Sequence, residues 1–191
     1  MRGMGGSKGA KELERALRAG EPVGVRRAIR GTARLDGYVV GVGRKWALLH
    51  IVCDQIRLDG YSAVRIRDVE HVTSSGWPGA DFVHRALSSR GDRPAPLPDV
   101  DLDSTARLIE TMAEAFPMLG LTFEEIDPDA LFIGRARGIT SKKRVRLQQI
   151  SSRAVWDTSY TMCGIRDITR FDAGDGYMEA LHLVGGDPPG S

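Results

Sequence analysis

Asp36-Gly37-Tyr38-Val39-Val40-Gly41-Val42 and Ile133-Gly134-Arg135-Ala136-Arg137-Gly138-Ile139 decide the reading of this chain, because the two glycines of one stretch recur in the other 97 positions later. Further on, Ile66-Arg67-Asp68-Val69 matches Ile165-Arg166-Asp167-Ile168 at a spacing of 99. Self-similarity at a nearly fixed spacing is the mark of a duplicated structural unit. The added residues fit a longer loop around Asp157 to Ser159 in the second copy.

Working outward, each copy opens with a candidate helix. The second is the clearer, with Asp103 or Ser104 as N-cap, Leu108, Ile109, Met112 and Phe116 on one face, and Pro117 discouraging continuation. The first lies around Lys11 to Leu17. Between helix and end, copy one reads as short strands near residues 37–42, 45–52, 55–58, 62–66 and 69–72. Copy two repeats them near 134–139, 144–150, 154–156, 161–165 and 168–171. Asp59-Gly60 reads as a hairpin turn, and glycines inside strands suggest bends or bulges. Each copy closes on an aromatic followed by Ala-Leu: Phe82 before Ala86-Leu87, and Tyr177 before Ala180-Leu181.

The expectation is an α+β, mainly β chain of two tandem helix-plus-barrel units. The first spans residues 8–90 and the second 101–184, with a linker at 91–100 made semi-rigid by Pro94, Pro96 and Pro98. At 191 residues, 41% hydrophobic and 27% charged, the chain can bury such cores. No apolar run approaches a membrane span or a secretory leader, so the expected location is the cytoplasm, with no membrane partner.

Ile165-Arg166-Asp167-Ile168-Thr169-Arg170-Phe171-Asp172, followed by Gly176-Tyr177-Met178-Glu179-Ala180-Leu181, resembles a widespread bacterial family of uncharacterised proteins with tandem Sm-like, SH3-type β-barrels. The resemblance spans most of the chain and implies the barrel fold without implying an activity. Where the Sm consensus has an Arg-Gly-Asn-like turn, this chain has Arg67-Asp68-Val69 and Arg166-Asp167-Ile168, a departure at the usual uridine-binding pocket.

Catalytic and cofactor patterns are missing. Gly41-Val42-Gly43 lacks the third glycine of a dinucleotide loop, and Gly3 to Gly9 lacks the phosphate-loop pattern. Ser74-Ser75, Ser88-Ser89 and Ser151-Ser152 lack a nucleophile elbow. His50, His71, His84 and His182 fit no metal spacing, and Cys53 and Cys163 sit apart in apolar runs as reduced core residues. The expectation is a non-enzyme with no cofactor and no metal.

Strand side chains alternate between two faces, so aligned copies can be compared face by face. At the uniform 97 spacing, Tyr38, Val40, Ala47 and Leu49 of copy one correspond to Arg135, Arg137, Arg144 and Arg146 of copy two. The first set reads as an apolar outer face to be covered within the chain, by a second subunit or by another protein. The second, with Lys142 and Lys143, is a positive stripe without an acidic residue between Arg135 and Ile150. It can neutralise phosphates of RNA or single-stranded DNA, with Trp46 or Trp156 as stacking aromatics. Ahead of that stands the plainer reading of a solvated edge, paired with the acidic residues between Asp99 and Asp129. The sequence thus reads first as a protein interaction module docking an unknown partner or itself, and alternatively as a phosphate-backbone binder.

Overall fold

The computed structural model describes residues 5–73 and 79–190, with side chains described from Lys8 onward. Gly3 and Ser74-Ser75 lie outside the described residues. The chain runs α1 (Gly5–Ala19), β1 (Pro22–Arg27), β2 (Leu35–Val42), β3 (Trp46–Val52), β4 (Leu58–Arg65), a 3-10 turn (Ile66–Asp68), β5 (Val69–Thr73) and α2 (Ala80–Arg90). It continues through α3 (Thr105–Ala115), β6 (Leu119–Phe123), β7 (Asp127–Ile139), β8 (Arg144–Ile150), β9 (Trp156–Gly164), β10 (Arg170–Ala173) and α4 (Gly176–Gly185). The class is α+β, mainly β. All ten strands form one antiparallel sheet in the order β5-β1-β2-β3-β4-β10-β6-β7-β8-β9.

That order contains the duplication twice over, since β5-β1-β2-β3-β4 and β10-β6-β7-β8-β9 are the same arrangement. The halves meet where β4 pairs with β10, Arg170 opposite Val64 and Ala173 opposite Tyr61. Turn hydrogen bonds repeat as well. Gly43 N–H donates to the Trp46 carbonyl and Thr140 N–H to that of Arg144, while Ile56 N–H bonds Cys53 and Ala154 N–H bonds Ser151. Ile56 and Ala154, both non-glycine residues with positive φ, occupy the same place in their turns.

One continuous open sheet, with β5 and β9 as its edges, stands where two separate barrels were expected. Several local assignments change with it. β1 and β6 are strands that the alternation did not announce: they contain Gly24 and Gly120, and β6 is buried throughout, so neither carries an apolar–polar alternation. The runs near 55–58 and 154–156 are mostly tight turns. Asp59-Gly60 is no hairpin turn but part of β4; Gly60 has φ +69°, and a Cβ there would stand 2.5 Å from the Asp175 nitrogen. The closing aromatic–Ala-Leu segments are the helices α2 and α4.

α1 seals one core, where Leu13 and Ala16 pack on Val23, Val25, Val39, Ala47, Leu49 and Val64. α3, capped by the Ser104 side chain at Arg107 N–H, lies in a larger core that joins both halves. There Leu108, Ile109 and Met112 share a cluster with Trp46, Leu48 and Ala63 of copy one and Val145, Leu147 and Phe171 of copy two. The proline-rich segment is pinned to the sheet: Tyr61 Oη donates to the Ala95 carbonyl and Ala95 N–H to His50 Nδ1, both at 3.2 Å.

A buried ion pair bolts the halves together. Arg27 at the end of β1 and Glu124 just after β6, 97 positions apart, bond each other bidentately with both side chains almost wholly buried. Thr169 Oγ1 and Arg170 also donate to Glu124. Burial pushes the Glu124 carboxyl up, but the bonds from Arg27 and Thr169 and the charges of Arg27 and Arg170 outweigh it and hold it below its usual range.

Candidate anion-binding surface

The register shows why the face-by-face comparison needs correcting in copy one. Val42 pairs with Ala47, whereas Ile139 pairs with Val145, so the copy-two turn holds one additional residue. From that turn onward the equivalents shift. Arg135 lies opposite Gln148 and Tyr38 opposite His50, which makes Trp46, Leu48 and His50 the counterparts of Arg144, Arg146 and Gln148. Because side chains alternate with period two, one inserted residue sends Ala47 and Leu49 to the opposite face from the one assigned. They lie beneath α1, fully buried. Tyr38 and Val40 pack against Val83 and Leu87 of α2. All four members of the expected protein interface are therefore covered within the chain, Val40 only in part.

The basic set does share a face, and it divides by function. Arg135 donates to the carbonyls of Phe116 and Pro117, at 3.2 and 3.0 Å, and ties α3's end to the sheet. Arg137 donates to Gln148 Oε1 and to the Pro189 carbonyl. Lys142, Lys143, Arg144 and Arg146 are exposed at the far end. No ion pair among the described residues engages these four, and within the acidic segment Asp101, Asp103, Glu110, Glu124 and Glu125 pair with Arg27, Arg44, Arg65, Arg107 and Arg170 instead. The backbone of Lys143 adopts φ +57°, holding the turn tight.

Each copy brings its β-turn against its Ile-Arg-Asp loop by one hydrogen bond, Ile66 N–H to the Lys45 carbonyl and Ile165 N–H to that of Lys143. Two adjoining concavities result. In copy two, Lys142, Lys143 and Arg144 line a space of about 430 Å³ with Arg166 and Asp167. At the meeting of the halves, a larger one of about 780 Å³ is floored by Trp46, Ile66, Ile165 and Ile168 and rimmed by Arg44, Lys45, Arg67 and Arg166, with Glu14 as a counter-charge. Arg166 belongs to both. Arg44 is held by Asp103 and Arg67 is near Asp68, which leaves Lys45 and Arg166 as its free exposed cations among the described residues.

Lys45 and Arg166 escaped the sequence reading, although the repeated Ile-Arg-Asp motif pointed at the second. Neither tryptophan is a stacking platform. Trp46 is 1% exposed, with Nε1 donating to Thr105, and Trp156 donates to the carbonyls of Gly185 and Gly186. The exposed aromatic on the basic face is Tyr160, opposite Gln148 and 51% accessible.

No group of metal-ligating side chains is assembled among the described residues, and no described helix is long and apolar enough to cross a membrane. Compared with known proteins, the chain matches no family model, no curated protein and no solved structure.

Proposed function

We propose that this protein is a non-catalytic cytoplasmic binder of single-stranded nucleic acid, gripping the phosphate backbone with Lys142, Lys143, Arg144, Arg146 and Arg166 while Tyr160 offers a face for a base. The observation that carries the reading is the exposed run of cations that no ion pair engages among the described residues, with Asp167 as the one carboxylate lining their concavity, alongside the burial of the apolar set that favours a protein interface in the sequence. Phosphate neutralisation by such side chains drives affinity through counterion release, and an aromatic beside them adds sequence-tolerant stacking. Each half is, in this proposal, an Sm-like, SH3-type unit opened to join its neighbour. The repeated five-strand order and the helix sealing each half support that.

The test is anisotropy of labelled single-stranded RNA and DNA pools over a salt series. Expected is binding that weakens steeply with salt, with log affinity falling by roughly 0.7 per log salt for each phosphate contact. Lys142→Glu/Arg144→Glu/Arg146→Glu should remove it. Absence of binding at the lowest salt overturns the proposal and returns the lead to a protein partner.

A further inference from the structure

The internal joint between the halves exposes what the two free edges could do. At that joint Phe171 of β10 pairs with Ala63 of β4. The 99 spacing that relates the Ile-Arg-Asp motifs maps these residues onto Val72 of edge strand β5 and Met162 of edge strand β9. The sheet therefore ends in two edges that, by repeat, are partners for each other. Unpaired edges are templates for another chain.

Both positions are occupied by charged side chains. Glu12 of α1 accepts from Val72 N–H at 3.1 Å, where a strand carbonyl would otherwise stand. Arg144 reaches over Gly164, its cross-strand neighbour, and donates to the Met162 carbonyl at 2.6 Å. The bond from Ile165 N–H to Lys143 sets the ladder's alternation so that Met162's backbone groups point away from β8, toward the open edge.

We propose that β5 and β9 are a matched docking pair for a second copy of this chain, kept apart by Glu12 and Arg144. The occupant is argued from the molecule's own β4–β10 joint, which already shows that these surfaces fit. A Thr161–Thr73 pair would replace the Ser62–Asp172 contact of that joint. Such a contact is head-to-tail, so releasing both guards on every molecule yields rings or filaments, while releasing one guard on each of two partners yields a closed pair.

Analytical ultracentrifugation separates these outcomes without any ligand. Glu12→Ala frees only the β5 edge, at a half-buried position, and Arg144→Ala only the β9 edge, at an exposed one. Each alone should sediment as a monomer, as should the wild type, and an equimolar mixture should give a complex of twice the monomer mass. Adding Met162→Pro to the Arg144→Ala chain should abolish that complex, because this edge N–H is not part of the β8 ladder and proline there spares the fold. A mixture that stays monomeric, a complex that survives Met162→Pro, or association of wild type or a single variant alone overturns the proposal.

Discussion

The same strand plays opposite roles in the two halves. In copy one, Trp46 and Leu48 on β3 face the large core and His50 stacks on Tyr61 under the linker. In copy two, Arg144, Arg146 and Gln148 hold the matching places, and the two arginines stand in solvent. A duplicated unit has two identical outer faces to dispose of, and this molecule closes one with α3 and the linker while leaving the other charged. The difference is what makes two copies one protein.

Exchanging residues between the faces breaks the comparison most severely. Leu48→Arg places an unpaired charge in a fully buried site and should cost about 3–5 kcal/mol, read as a fall in the denaturation midpoint. The reverse swap, Arg146→Leu, should leave stability within about 0.5 kcal/mol and lower nucleic-acid affinity. Equal losses from both swaps would remove the distinction.

Next in size is the joint itself. Arg27→Met alone leaves the buried Glu124 carboxylate with only Thr169 and Arg170 as partners and should cost on the order of 3 kcal/mol, whereas Arg27→Met/Glu124→Met should recover most of it, since paired buried charges gain little over apolar packing. Denaturant melts of the wild type and these two variants decide this.

The smallest effect sharpens the role of the covered face. Burial holds the His50 imidazole below its ordinary pKa of 6.5, and Nδ1 must be unprotonated to accept from Ala95. A base whose pKa is lowered by folding contributes stability that is complete above pH 6.5 and is lost as pH falls through the folded value. The unfolding midpoint should therefore drop below pH 6.5 more in wild type than in His50→Gln. Identical pH profiles would show that the linker clasp carries no proton linkage. Copy two has Gln148 at the equivalent place and no such dependence.

What the sequence determined by itself was local or repetitive: the duplication, the capped helix before Pro117, the strand cores around Val39 and Val145, and the cations between Arg135 and Arg146. These follow from periodicity and from residues that dictate their own backbone, and they survive folding unchanged. Only the tertiary structure decided which faces are covered, that one added residue sits in the β7–β8 turn, that Arg135 and Arg137 serve structural contacts, and that Arg27 meets Glu124. The reason is that strand faces alternate with period two, so an insertion invisible to composition reverses an assignment. Pairing between β4 and β10 joins residues more than a hundred positions apart, and no local pattern encodes a partner at that distance.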